Sequence, residues 1–594
     1  FSCEEYLDIP PEADLTEEEI FGTYESFQGY QDHLLLNLVD FNNHGARVTH
    51  AIGGEALGPT NQTVGRGGNN GDYFYMLTNR GIYATAESGK FNGGLYSTMW
   101  ENIRICNMSL VKLEEGLLKE ATDEQRKWLR GQAYFYRAYY YYEFVRSFGT
   151  VPYLDTLQTA EDQNMKRHWT YEKNGKTYRD VQACFEKIVD DLDKATALLP
   201  AVWPDQNINW GRPTKATCLG YKAKALQFSA SPLFNEQATG SAEYNKELLD
   251  RCAQACQQTI DMAKSIIGRQ PAGMPEVDAD GLTKWEDMRT MFATKTTQAQ
   301  PGTNEVLWGR RVDRYDDPMV RQSTARGLTH RQISGQQGSQ GSQNYMDRWE
   351  MADGSRYKME YDQDPARRWD DRDPRYRFNF YLHGDEIFNL VLNFSASQTQ
   401  SDGAFNSNCP RKFFTDDTRR GNEQNHTFVT PLLRLADIYL TYAEAVFEST
   451  GSYTTVPSGL SMSAADAVNK IRLRAGQPNV ATVLPFYENN AFPNTIELDT
   501  DPAFRLLYRN ERAVELAYEG LWWFDIRRWK RATLLDGVNL QALSFDVDNQ
   551  KKIKEETVTR TNVQTYTFKD QHYWMPFETS LTRFTYDWEQ NPGW

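Results

Sequence analysis

The sequence lacks any long apolar run. Nowhere in its 594 residues does a stretch approach the ~18 apolar residues of a membrane helix, and Leu34–Val39, among the most apolar, is broken by Asn37. Positive charge is in short supply: 65 Lys and Arg face 81 Asp and Glu, a net charge of −16. Such a chain repels phosphates, which argues against a nucleic-acid partner. Cysteine is sparse at seven, and none shows zinc spacing; Cys252 and Cys256 lie i,i+4 on an expected helix with no second pair to complete a site. The six cysteines other than Cys3 are open between thiols and bridges. Also missing are the nucleophile elbow, HExxH, the Walker motif and the Rossmann fingerprint. The glycine-rich Gly65–Gly71 (GRGGNNG) has no strand-to-helix switch around it, so it reads as loop and not as a phosphate cradle.

What is present is a globular composition, 40% hydrophobic and 25% charged, with 13% aromatics rich in Tyr and Trp. Those two side chains join an apolar face to a polar tip and suit both cores and carbohydrate-facing surfaces. Helical stripes recur along the chain. Trp100–Gly116 opens the series, and Thr122 with Gln125 forms a capping box before Arg126–Phe148, whose stripe is Leu129, Ala133, Tyr136, Tyr140 and Phe144. Asp180–Leu199 and Lys215–Ala230 form a second pair, followed by Asn245–Ile267. Leu432–Glu448 then pairs with Ala464–Ala475, which Ser463 and Asp466 cap. Short amphipathic helix pairs of this kind read as tetratricopeptide-like repeats with long insertions between them.

The most informative stretch is Arg509–Arg531. Asp501 is the expected N-cap with Pro502 at the first helical position. Leu506, Leu507, Ala513, Val514, Ala517, Tyr518 and Leu521 form an apolar face, while Glu511, Glu515 and Glu519 recur at i,i+4 steps opposite it. Like charges so placed repel by roughly 0.2–0.5 kcal/mol per pair, so arginines must sit among them. The spacing therefore predicts a structural ion-pair network and not a glycosidase acid pair. Gly520 lets the chain bend into an aromatic knot of Trp522, Trp523, Phe524 and Trp529.

Written as ER-x-x-EL-x-x-EG-x-x-x-x-D-x-RRW, this stretch resembles the signature of the SusD/RagB family, surface glycan-binding lipoproteins that partner TonB-dependent transporters of Gram-negative outer membranes. The same family is resembled by Arg130–Tyr153 (RGQAYFYRAYYYYEFVRSFGTVPY), Gly211–Thr217, Asn304–Trp308, Arg372–Arg375, Leu433–Ala445 and the ending Gln590–Trp594 (QNPGW). The resemblance implies a mostly α-helical fold of four tetratricopeptide-like pairs, about 100–267 and 427–594. An irregular ligand-binding region, about 42–98 and 270–426, would interrupt a single domain of 25–594. It implies a non-catalytic oligosaccharide binder serving a SusC-like TonB-dependent transporter, with a RagB-like peptide binder as the alternative and a hydrolase as the third reading. It also turns Phe1-Ser2-Cys3-Glu4-Glu5 into the end of a signal peptide and a lipidated Cys3. Residues 1–24 would then be the anchor arm of a surface-exposed outer-membrane lipoprotein.

Sugar recognition calls for flat aromatic faces beside planar polar groups. The candidates are Tyr73, Tyr75, Trp285, Trp308, Tyr345, and Tyr315 flanked by Arg314 and Asp316. Trp308 lies in a stretch, Asn304–Val312, that alternates like a strand, which could turn it inward. Glu276–Asp287 places acids at EF-hand-like spacing around Gly281, yet Glu stands first and Asp last, so it reads as an acidic surface loop. No metal or cofactor is expected.

Overall fold

The structure, a computed structural model, describes residues 16–39, 50, 52–57, 95–159, 165–206, 208–269, 273–294, 305–312, 330–334, 340–387, 389–402, 407–416, 427–488, 495–577, 582 and 587–594. Helices dominate them. After α1 (Glu17–Phe21) and α2 (Tyr24–Leu36) come α3 (Leu95–Glu114), α4 (Asp123–Phe148), α5 (Asp180–Leu198), α6 (Lys215–Ala230) and α7 (Lys246–Ser265). The set is completed by α8 (Leu435–Thr450), α9 (Ala464–Arg474), α10 (Ala503–Glu515) and α11 (Trp522–Arg528). Each of α3 to α9 packs on the next, and α10 lies against both α8 and α9. The pairs α3/α4 and α5/α6 form as the repeats predict and α8 packs on α9 as expected, while α7 packs on both α6 and α8 and α10 lies against α8 and α9.

Local chemistry sets the helix starts. Thr122 accepts from Gln125 N at 3.2 Å while its own N–H donates to Gln125 Oε1 at 2.8 Å. Ser463 and Asp466 repeat the exchange at the start of α9. Several expected starts move: α3 begins at Leu95, ahead of Trp100, and α4 at Asp123, directly after Thr122. α10 begins at Ala503, after Pro502, and Asp501 instead pairs with Arg531 at 2.6 Å. Leu432–Arg434 do not open α8: they end a strand, and Arg434 is the residue before the helix.

Between α7 and α8 the described chain forms short strands and single-turn helices. Its main sheet has three antiparallel strands, β1 (Ala293–Thr294), β2 (Val306–Val312) and β3 (Thr427–Arg434), with β3 in the centre. Leu433 pairs with Trp308 and Arg434 with Val306, so the sheet runs directly into α8.

The core is continuous across the helices, and α4 is its axis. Tyr139, Tyr140, Tyr141 and Tyr142 are all buried, although one helix face cannot hold four consecutive side chains. They are buried because α2, α3, α5 and α6 surround α4. Three of the phenols are hydrogen-bonded: Tyr140 donates to Leu34 O at 2.6 Å, and Tyr139 and Tyr141 accept from Val39 N and Leu154 N. The six described cysteines, Cys106, Cys184, Cys218, Cys252, Cys256 and Cys409, are buried free thiols.

A second feature ties the chain's two ends together. Residues 52–57 are buried between α10 and α11, where Tyr518 N donates to Glu55 Oε1 at 3.1 Å and Trp522 Nε1 to Gly53 O at 2.9 Å. Glu55 also meets His50 Nδ1 at 3.0 Å. Tyr518 adopts φ 61°, a left-handed conformation unusual for a bulky residue. With Gly520 at φ 77° it ends the helical path, so Glu519 lies past α10 and not on its face.

Glu511, Glu515 and Glu519 are each at most 3% exposed. Arg434 reaches Glu519 at 2.7 Å and Glu515 at 3.0 Å, and Lys412 reaches Glu519 at 2.6 Å. Arg472 joins Glu511 at 2.9 Å to Glu350 at 2.7 Å, and Arg375 joins Glu511 to Asp373. Arg474 and Arg434 also hold Glu305. The ion-pair network expected from the glutamate spacing is thus present, but it lies in the core. A neighbouring group pairs Lys224 and Arg512 with Asp437, Arg512 and Arg528 with Asp525, and Arg528 with Glu444.

Burial alone would raise the Glu515 carboxyl, but Arg474, Arg434 and Arg375 outweigh it and hold the group well below the usual range. Glu444 and Asp437 are likewise depressed against burial, by Arg528 and by Lys224 with Arg512. A depressed carboxylate adds stability above its unfolded value and loses it as pH falls toward the folded one. Glu350, which burial raises, works in the opposite sense and offsets part of the loss. The melting temperature is therefore expected to drop once pH falls below about 4, where unfolded carboxyls titrate. At neutral pH, Glu515→Ala should cost about 3–5 kcal/mol in denaturant unfolding, because it strands buried arginines. A wild-type midpoint for that variant would refute the account.

Candidate functional site: an aromatic cleft beside the second helix pair

The loop from α5 to α6 carries two tryptophans, seven residues apart, and folds against β2. Trp203 is 4% exposed, donates Nε1 to Pro213 O at 3.1 Å, and meets Trp128 edge to face at 5.3 Å. Trp308, at 2% exposure, donates Nε1 to Gly211 O at 2.7 Å. Its ring sits among Phe135 at 5.0 Å, Tyr139 at 4.8 Å and Tyr221 at 5.5 Å, all edge to face. Gly211 is at φ +86°, which a side chain would strain.

Between this loop, the end of α7 and β2 lies an open-sided cleft of about 140 Å³. Its lining includes the half-buried Trp210 together with Gln206, Asn209, Arg212 and Arg269. Arg212 grips Asp32 of α2 at 2.8 Å and also donates to Asn209. Gln206 closes the other side by donating to Arg269 O at 2.7 Å, and Thr217 fastens β2 through Leu307 O at 2.9 Å. Among the described residues no carboxylate, thiol or imidazole lines the cleft. The arrangement offers ring faces and planar hydrogen-bonding groups.

Of the residues singled out in the sequence, Tyr73, Tyr75, Arg314, Tyr315, Asp316 and Cys3 lie outside the described residues. The other three are not brought together. Trp308 belongs to the cleft, but as its floor: strand alternation turns it into the aromatic core. Trp285 is half-buried on a single helical turn, with its ring 5.7 Å from Phe378. Tyr345 is no exposed platform. It is 3% exposed, donates to Ala513 O at 2.8 Å and packs on Trp349 and Trp522, because the turn capped by Ser342 points it inward. Trp203, Asn209, Trp210 and Arg212 were missed. Their signal was two tryptophans flanking a polar loop just before the Gly211–Thr217 motif.

The acidic loop Glu276–Asp287 satisfies itself. Asp278 accepts from Asp280 N and Leu282 N, Asp287 accepts from Glu276 N, and Asp280 is paired with Lys264 at 3.0 Å and Lys470 at 2.8 Å. Among the described residues no group of three or more His, Cys, Asp or Glu is placed to hold a metal ion.

The two tryptophans make a direct test. Trp308→Ala should cost about 3–5 kcal/mol of stability, as a core aromatic does, whereas Trp210→Ala should cost about 1 kcal/mol or less. Equal losses in chemical denaturation would remove the distinction between floor and wall.

Comparison with known proteins follows the same lines. A model of the SusD family matches residues 291–594, and one described as starch-binding associating with outer membrane matches residues 68–225. No curated protein matches the chain. Among solved structures, a SusD-like protein of Bacteroides fragilis NCTC 9343 superposes with a TM-score of 0.68 at 20% identity, covering 98% of this chain and 99% of that one. A SusD-like carbohydrate binding protein of the same strain gives a TM-score of 0.65 at 18% identity over 94% and 97%. A crystal structure with xylogluco-oligosaccharide gives 0.56 at 16% identity over 94% and 96%. At these identities the structures show a shared fold. The family match, by contrast, spans just over half the sequence and includes the glutamate-rich helix, the buried lattice and the C-terminal ending: this chain belongs to the SusD family.

Proposed function

We propose that this protein is a non-catalytic oligosaccharide binder at the cell surface that delivers captured glycan to a TonB-dependent outer-membrane transporter. The observation that carries the reading is the open cleft in which Trp210 stands beside Asn209, Gln206 and Arg212, with no proton-accepting side chain among the described residues of the lining. Sugars bind by stacking C–H-rich faces on aromatic rings while planar groups meet their hydroxyls. The carbohydrate-binding relative and the relative with xylogluco-oligosaccharide support the ligand class. The outer-membrane description of the second family model supports the location. Tyr73, Tyr75 and the Arg314–Tyr315–Asp316 group are proposed as further ligand contacts.

Titration calorimetry against a panel of glycans and peptides, with product analysis of the same mixtures, tests this. Binding of one glycan class without chain shortening is expected. Trp210→Ala should weaken it by about 1–3 kcal/mol, the range for aromatic stacking on nucleic-acid bases, and Tyr315→Ala reports on the loop contacts in the same way. Binding to peptides alone would transfer the function to the peptide-binding branch, and released sugars would make the protein a hydrolase.

Anchoring is proposed through acyl chains on Cys3, since no described helix is long and apolar enough to cross a membrane. More than one chain is required, because a single one binds only marginally. A fatty-acid analogue should label the wild type and not Cys3→Ala, and gentle solubilisation should bring a large β-barrel down with the protein. Equal labelling of both forms would refute the anchor.

A further inference from the structure

The charge lining the aromatic cleft runs against that of the molecule. The chain carries a net charge of −16, yet among the described residues the only charged ones in the lining are Arg212 and Arg269. The two differ in availability. Arg212 is spent on structure: it holds Asp32 through two bonds, at 2.8 and 3.3 Å, and donates to Asn209. Arg269 is exposed at the rim and has no carboxylate partner among the described residues. Its backbone is nonetheless fixed, with N–H donated to Ile266 O at 3.0 Å and the carbonyl accepting from Gln206 at 2.7 Å. The nearest acid along the loop, Asp205, accepts from Ile208 N and is not part of the lining.

An exposed arginine on a fixed backbone at the rim of an aromatic cleft suits a ligand that carries a planar carboxylate on a ring. Arg meets a carboxylate through two parallel N–H bonds, each charge-assisted. The C-terminal end of α7, which disfavours anions, acts only within its last turn. Arg269 lies beyond that turn, four residues past Ser265.

Building on the glycan-binding reading of the same cleft, we infer that the site selects acidic sugars: the ring of a uronate lies against Trp210 while its carboxylate is held by Arg269. The neutral groups, Asn209 and Gln206, face the hydroxyls, and Arg212 keeps the loop in place.

The test uses the full chain and matched ligands, tetramers of galacturonate and of mannuronate together with their methyl esters. Esterification keeps the rings and removes the charge. Calorimetry should show at least one acid binding about three- to tenfold tighter than its ester, the range of an exposed charge-assisted contact. The preference should shrink as salt is raised to about 0.5 M, where the screening length falls to a few ångströms. Arg269→Gln should abolish the preference and leave ester binding intact, whereas Trp210→Ala should weaken acid and ester together. Melting curves check that both variants fold. Equal affinity for acids and esters, or a preference that survives Arg269→Gln, overturns the inference while leaving the cleft a glycan site. Failure of every neutral and acidic oligosaccharide to bind overturns the glycan reading of the cleft, and the inference with it.

Discussion

Charge in the core can persist only where every ion is answered, and the carboxylates of α10 and the turn after it impose that constraint here. Glu511, Glu515 and Glu519 are answered by Arg375, Lys412, Arg434, Arg472 and Arg474, which come from four separate parts of the chain. Desolvation cancels much of the Coulombic gain of such pairs, so their main effect is on geometry. Arg434 sits where β3 becomes α8, and Arg375 and Lys412 lie in the segment between α7 and α8. The lattice therefore sets how the irregular segment rests on the helices. The strand bearing Trp308 takes its position from the same place, because Glu305, one residue before β2, is held by Arg434 and Arg474.

What could be read in the sequence was what is decided locally. The boxes at Thr122 and Ser463 involve residues three apart, and the stripe of α4 has a single period; both are visible without tertiary information. The glutamate spacing of α10 announced an ion-pair network for a similar reason, since like charges at that spacing need partners. It could not announce burial, because the answering arginines lie from 39 residues away in the case of Arg472 to 140 in the case of Arg375. The same limit explains Leu432–Arg434. Their helical stripe was legible, but the strand opposite them, more than 120 residues upstream, was not.

The site was less legible than the fold because aromatic residues carry no local mark of which way they face. Trp308 and Tyr345 were both plausible platforms, and both are drawn inward. Trp308 follows the alternation of its strand into the rings of α4, and Tyr345 follows a capped turn toward Ala513. Trp210 gave little sign of itself, since it lies in a connecting loop that has no periodicity. What distinguishes it is the pair of anchors beside it, Arg212 on Asp32 and Gln206 on Arg269 just past α7, and its half-buried place in the cleft lining.

The segment buried between α10 and α11 bears on how the chain reaches this state. Its hydrogen bonds from Tyr518 and Trp522 to Glu55 and Gly53 span 463 and 469 residues of sequence. During synthesis at roughly 5–20 residues per second, residues 52–57 first meet partners at Gln340, Gly341 and Ser342, and only much later those at Tyr518 and Trp522. This last contact is consequently one of very high contact order, the kind that comes late. Until it forms, Tyr518 has no carboxylate to hold it in its left-handed conformation. The helix pairs carry an open seam along residues 52–57 until Tyr518 and Trp522 reach it.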